Sequence, residues 1–257
     1  MLLHGLGATA ALNWFSAFAP LSEHFRVVAI DHRGHGRGIR SRRRFRLADC
    51  ADDAAALADV LGIERFIPVG YSMGGPIAQL VWHRHPEKVD GLVLCATSRN
   101  FRGSLRERMQ FAGLGMLVAG LQFAPHSVVE GVAEALPSEV ESVDMANMRW
   151  ARDEFFRHDV RAVLEAADTI GRFSSSDWID GIDVPVSVVA TAEDRLVPIR
   201  RQVKLADAIP SAVLHVVDGN HMVCGTEPEC FADTLVEACD LVARRAADHP
   251  VRFRRAG

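Results

Sequence analysis

The stretch Val69-Gly70-Tyr71-Ser72-Met73-Gly74-Gly75 constrains this chain more than any other. It follows the short apolar run Arg65-Phe66-Ile67-Pro68-Val69 and opens into Ile77-Ala78-Gln79-Leu80-Val81-Trp82, which has helical character. The segment therefore reads as a strand, a very tight turn and a helix. Such a turn forces the serine backbone into a strained conformation, so the side chains two residues to either side must be almost absent. Gly70 and Gly74 meet that demand. The turn lifts the Ser72 hydroxyl above the sheet edge, and the N-terminal N–H groups of the new helix point at the same spot. A glycine-framed serine in this setting is the nucleophile elbow.

The rest of the chain repeats the same rhythm. Met1–Gly7 reads as a strand entering a glycine turn, and Ala10–His24 as a helix with Trp14, Phe15, Phe18 and Leu21 on one face. Arg26–Ile30 is expected to be a buried strand, followed by the polar loop Asp31–Gly36 and the arginine-rich run Arg40–Arg46, read as a solvated loop. Leu47, Cys50, Ala54, Leu57 and Leu61 then mark an amphipathic helix. Gly91–Thr97, Val184–Ala190 and Ala212–Val217 read as further strands, and Arg200–Ala208 as a helix. The final helix is expected to start at Thr226, capped by its side chain with Glu229 as the capping-box partner. Unbroken apolar strands alternating with helices imply an α/β fold with a parallel sheet covered on both faces. Between Arg99 and about Asp180 the rhythm breaks into helical periodicity with no convincing strand.

With 257 residues, about half of them apolar, the chain can bury one large α/β domain or a domain with an insertion. A net charge of −4 gives no general field for nucleic acid, and no apolar run is long enough for stable membrane insertion. The cysteines Cys50, Cys95, Cys224, Cys230 and Cys239 are scattered and odd in number, which suits a reduced, cytoplasmic setting better than a disulfide framework. The pairs His32/His35 and His83/His85 lack the carboxylate and thiolate company of a metal site, so no metal and no cofactor is expected.

Taken in order, His4-Gly5, Asp31-His32-Arg33-Gly34-His35-Gly36, Gly70-Tyr71-Ser72-Met73-Gly74-Gly75, Ala192-Glu193-Asp194 and Gly219-Asn220-His221 resemble the α/β-hydrolase superfamily over nearly the whole chain. Within it the sequence looks closest to small bacterial ester hydrolases, of the enol-lactonase, carbon–carbon-bond hydrolase and cofactor-free haloperoxidase types. The resemblance implies a core formed by residues 1–98 and 181–257, with residues 99–180 inserted as a helical lid. It also implies two further strands ahead of the His4-Gly5 strand. As this chain starts inside that strand, the N-terminal strands are expected to be missing, either because the start is truncated or mis-assigned or because the sheet has lost that edge; in the latter case Arg26–Ile30 is an apolar edge prone to pairing, low solubility or homo-oligomer formation.

The resemblance also assigns roles. Ser72 is the expected nucleophile, His221 its base, and Asp194 the acid that orients the imidazole, with Glu193 and Asp218 as alternatives. The oxyanion hole is expected from the main-chain N–H groups of Leu6 and Met73. His4, Asp31 and Arg33 brace the loops, and His215 is structural. Met116, Phe123, Trp150 and Met222 are candidate substrate contacts in an apolar pocket. Serine at the elbow argues against the dehalogenase and epoxide-hydrolase branches. The expected activity is hydrolysis of a small apolar carboxylic ester, lactone or thioester through an acyl-enzyme. Carbon–carbon-bond hydrolysis, acyl transfer, or ligand binding without turnover are the alternatives.

Overall fold

The structure, a computed structural model, describes residues 1–101 and 145–248 together with Met109, Gly113, Met116 and Gly120. Its sheet has six strands, β1 (Leu2–Leu3), β2 (Ala29–Ile30), β3 (Val69–Tyr71), β4 (Leu92–Cys95), β5 (Val186–Thr191) and β6 (Ala212–Val217). They lie in the order β2-β1-β3-β4-β5-β6, and every pairing is parallel. The described helices are α1 (Ala10–Trp14), α2 (Phe18–Ser22), α3 (Leu47–Val60), α4 (Gly74–Arg84), α5 (Met145–Phe155), α6 (Val160–Arg172), α7 (Ile199–Asp207), α8 (Val223–Thr226) and α9 (Pro228–Asp248).

Alternation along each strand sends neighbouring side chains to opposite faces, which explains why the sequence shows unbroken apolar runs. Leu3, Leu92, Leu94, Val186 and Val188 enter a core with α3 and α4 residues such as Ala54, Ile77 and Val81. Leu2, Val69, Tyr71, Val93, Cys95 and Val189 enter the opposite core, with Trp14 from α1 and Phe231 and Leu235 from α9. Trp14 and Phe231 are fully buried, each worth about 1.5–3 kcal/mol or more for an aromatic of this size. This is the α/β-hydrolase fold, with helices on both faces of a parallel sheet.

Three local expectations need correction. The helix expected over Ala10–His24 is two short helices, α1 and α2. Pro20 explains the break: its ring and missing N–H would disrupt a helix running through Ser16, but are tolerated in the first turn of α2. The strand expected over Arg26–Ile30 is only Ala29–Ile30 and is half-buried, because β2 terminates the sheet and pairs with β1 alone. The last helix starts at Pro228, not Thr226. Proline fits a first turn, and the Thr226 hydroxyl, at the end of α8, donates instead to the carbonyl of Met222, which precedes that helix.

Beside the β2 edge, an open apolar cavity of about 710 Å³ lies between Leu21, Phe25, Val27, Phe66, Ile67 and Cys239. It sits at the N-terminal ends of β1 and β3, whereas Ser72 follows the C-terminal end of β3. No described helix is long and apolar enough to cross a membrane.

Candidate active site

β3 ends at Tyr71 and α4 begins at Gly74, so Ser72 occupies the turn between them. Its φ is +51°, a conformation that costs a non-glycine residue about 1–3 kcal/mol. The turn is held by hydrogen bonds on both sides. The Ser72 N–H donates to the Cys95 carbonyl at 2.9 Å, and the Ser72 carbonyl accepts from the Gly75 N–H at 3.0 Å and the Thr97 hydroxyl at 2.8 Å. The glycine requirement is steric. A Cβ on Gly70 would stand 2.2 Å from the Gly74 carbonyl oxygen, and one on Gly74 would stand 2.0 Å from that of Leu3.

The loops after β5 and β6 bring the other two side chains to Ser72. Nε2 of His221 lies 2.9 Å from Ser72 Oγ, and Nδ1 lies 2.6 Å from Asp194 Oδ2. Nδ1–H therefore donates to the carboxylate, leaving the Nε2 lone pair to accept a hydrogen bond from the Ser72 hydroxyl. The Asp194 side chain is fully buried and the His221 side chain is 13% exposed. The carboxylate is also gripped by its own loop: Oδ1 accepts from the Leu196 and Val197 N–H groups, each at 2.8 Å, and Oδ2 from the Thr191 hydroxyl at 2.8 Å. Glu193 and Asp218, the alternative acids, are both exposed, and neither reaches His221.

Leu6 and Met73 flank the same turn. A Cβ on Gly5 would stand 3.4 Å from Ser72 Cβ, so the loop after β1 packs directly on the serine. Among the described residues neither the Leu6 nor the Met73 N–H has a protein acceptor. His4 sets the direction of the Leu6 amide. Its Nδ1–H donates to the Gly5 carbonyl at 2.7 Å, while Nε2 accepts from the His32 N–H at 3.0 Å. The Gly5 carbonyl and the Leu6 N–H belong to one trans peptide and point in opposite directions, so fixing the first aims the second. The Gly5 N–H is held by Asn13 Oδ1 at 2.8 Å.

Asp31 accepts from the Ala10 and Arg37 N–H groups, each at 2.7 Å, and Arg33 is paired with Asp53 and Asp49, so both brace loops as expected. His4, His32, His35 and His158 form a buried cluster, with neighbouring ring centroids 4.3–5.3 Å apart. Burial holds all of them below the usual histidine pKa, helped by repulsion from neighbouring rings at His4, His32 and His35 and by the Arg40 charge at His158; His32 lies at about 3 and His158 at about 4. His215 bonds Ser187 from β6, His83 stacks on Trp178 and His85 pairs with Asp52. Among the described residues, no group of His, Cys, Asp or Glu is arranged to hold a metal ion.

Of the candidate substrate contacts, Met116, Trp150 and Met222 are exposed, and Phe123 lies outside the described residues. Trp150 meets Phe15 edge-on, with centroids 6.4 Å apart. Sequence reasoning missed two supports. The Tyr71 hydroxyl donates to the His221 carbonyl at 2.8 Å. Tyr71 is the chain's single tyrosine and sits inside the elbow motif, which was the available signal. His158 joins the cluster from a distant helix pair, and no local pattern marks it.

Fold, elbow and loop order together define a hydrolase of the α/β type. The chain belongs to the alpha/beta hydrolase fold family, whose model matches residues 1–131. It is 31% identical over 249 residues to a putative carbamate hydrolase RutD of Agrobacterium fabrum, covering 92% of this chain and 91% of that protein. It is 25% identical to a poly(3-hydroxyalkanoate) depolymerase of Ectopseudomonas oleovorans, covering 97% of this chain and 87% of that protein. Among solved structures, the enol-lactonase from Burkholderia xenovorans LB400 is similar, with a TM-score of 0.76 and 25% identity, covering 92% of this chain and 88% of that one.

Proposed function

We propose that this protein is a serine hydrolase that cleaves a carboxylic ester, lactone or thioester of a small apolar substrate through an acyl-enzyme. The observation that carries the reading is the continuous relay from Ser72 Oγ through the His221 ring to the buried Asp194 carboxylate, at 2.9 and 2.6 Å. In this reading Ser72 Oγ attacks the substrate carbonyl as His221 Nε2 takes its proton. Asp194 holds the tautomer and stabilises the imidazolium. The carbonyl oxygen becomes an oxyanion that accepts from the Leu6 and Met73 N–H groups. His221 then gives its proton to the leaving oxygen or sulfur, and the acyl group remains on Ser72. Water attacks the acyl-enzyme with His221 again as base, the acid is released, and the serine proton is restored.

Residues 99–180 act as a lid over this site, with Met116, Phe123, Trp150 and Met222 contacting the apolar part of the substrate. A carbamate presents the same kind of carbonyl, and the name of the Agrobacterium relative adds that class to the substrates worth screening. The test is labelling by a fluorophosphonate probe together with turnover of p-nitrophenyl esters, lactones and carbamates. The wild-type protein should label and turn over, and Ser72→Ala should do neither. Unlabelled wild-type protein, or a labelled Ser72→Ala variant, would overturn the proposal.

A further inference from the structure

The elbow between α5 and α6, residues 154–159, grips the loops after β1 and β2, the first of which packs on Ser72. Glu154 is 2% exposed and accepts both terminal nitrogens of Arg37, at 2.9 and 2.7 Å. The Asp159 N–H donates to the Gly34 carbonyl at 2.7 Å. Between them lies His158, 8% exposed. Its Nδ1 accepts from the Gly36 N–H at 3.2 Å, and its Nε2–H donates to the Gly7 carbonyl at 3.1 Å. One imidazole from the insertion thus ties the loop after β1 to the loop after β2.

The position of the bond matters. Gly7 is adjacent to Leu6, and its φ of +67° lies in the left-handed region that favours glycine. His4 fixes the peptide on the N-terminal side of Leu6, through the Gly5 carbonyl. His158 fixes the first carbonyl beyond Leu6 on the C-terminal side. Clamped on both sides, the Leu6 N–H has little freedom to swing away from Ser72. A donor placed in advance stabilises an oxyanion without reorganising when the charge develops.

We infer that His158 is a positioning residue that holds the Leu6 N–H in the oxyanion hole, so that the α5–α6 insertion forms part of the hydrolytic machinery. The inference rests on the serine-hydrolase reading above. It requires one neutral tautomer, with the proton on Nε2, because a second proton on Nδ1 would face the Gly36 N–H. The titratable and charged groups around the ring are His4 and His35, Asp31, Arg40 and Glu154. Burial outweighs the nearby carboxylates and keeps the ring uncharged at neutral pH.

The experiment compares His158→Leu, which loses both bonds, with His158→Gln, which keeps an acceptor and a donor. Each is assayed on a p-nitrophenyl ester and with an alkyl trifluoromethyl ketone. The ketone forms a bond between its carbonyl carbon and Ser72 Oγ; the serine proton passes to His221 and the carbonyl electron pair becomes an oxyanion in the hole. In His158→Leu, kcat should fall roughly tenfold to a hundredfold, the range expected for a small misplacement. KM should stay within about twofold, as expected when an interaction specific to the transition state is lost. Ketone affinity should weaken in step with kcat, and His158→Gln should recover most of both. Ketone affinity unchanged in a folded His158→Leu variant would overturn the inference while leaving the serine-hydrolase reading intact. A wild-type protein that neither labels with fluorophosphonate nor binds the ketone would overturn both. A variant that fails to fold is replaced by ring-nitrogen NMR of the wild-type protein: an Nε2–H tautomer for His158 at pH 7 supports the inference, and an Nδ1–H or charged ring sinks it.

Discussion

The Tyr71 hydroxyl donates to the His221 carbonyl at 2.8 Å, so the residue just before the serine also anchors the backbone of the residue whose ring faces it. Tyr71 is 3% exposed and packs edge-on against Trp14 and Phe231. Its ring is therefore fixed by the core, and the hydroxyl carries that order out to the loop after β6. Tyr71→Phe keeps the packing and removes the bond. Stability should fall by about 1 kcal/mol, and kcat should fall severalfold with KM little changed. Paired thermal melts and steady-state kinetics measure both, and an unchanged kcat would separate the tyrosine from the chemistry.

Asp194→Asn should keep the loop while disturbing the relay. The amide oxygen can still accept from the Leu196 and Val197 N–H groups, leaving the amide nitrogen to face His221 Nδ1–H. Two donors would then meet and the histidine would favour the other tautomer. The expected loss in kcat is on the order of 10⁴, with a much smaller loss in Tm. A variant retaining near-wild-type turnover would show that another carboxylate orients the ring.

Gly74→Ala should destroy the elbow. Its Cβ would stand 2.0 Å from the Leu3 carbonyl oxygen, in backbone that cannot move without shifting β1. A destabilisation above about 2 kcal/mol is expected, since overpacking alone typically costs about 1–3 kcal/mol. Urea unfolding supplies the number, and a wild-type midpoint would refute the steric argument.

Acid should weaken the fold through the histidine cluster. His32 and His158 are depressed to about 3 and about 4, and His4 and His35 lie well below the usual value. In the unfolded chain these rings protonate near pH 6.5. Below that pH the unfolded state binds more protons, so stability falls as pH falls. The loss starts near pH 6.5, and the shares of His158 and His32 continue until their own folded-state values, about 4 and about 3, are reached. Each ring contributes up to about 1.4 kcal/mol per pH unit. Urea midpoints compared at pH 7.5 and 5 should differ clearly, and His32→Phe should flatten the dependence.

What the sequence made readable was whatever local pattern encodes. Gly70-x-Ser72-x-Gly74 announces a steric need, and β3, the turn and α4 follow directly. Ala212–Val217 is a strand with the bounds expected of it, because a short run with valine at 213, 216 and 217 favours extended backbone. Asp194 and His221 stand out by their order and their places after strands, and the structure brings both side chains to Ser72. Sequence reasoning overlooked Pro20, which splits the first helix, and overextended β2, whose residues are apolar but lack a second neighbour. The histidine cluster was not legible at all. His4, His32, His35 and His158 come from three separate stretches, and only the packing of the α5–α6 elbow against the first two loops makes them neighbours.

The sheet is uneven: β5 and β6 pair over six residues, while β1 and β2 pair over two. Fraying should therefore begin at the short side, and the loop carrying Leu6 leaves from that side. On gentle heating the protein would go silent as an enzyme while its helices still registered as intact, so heat inactivation would run ahead of melting.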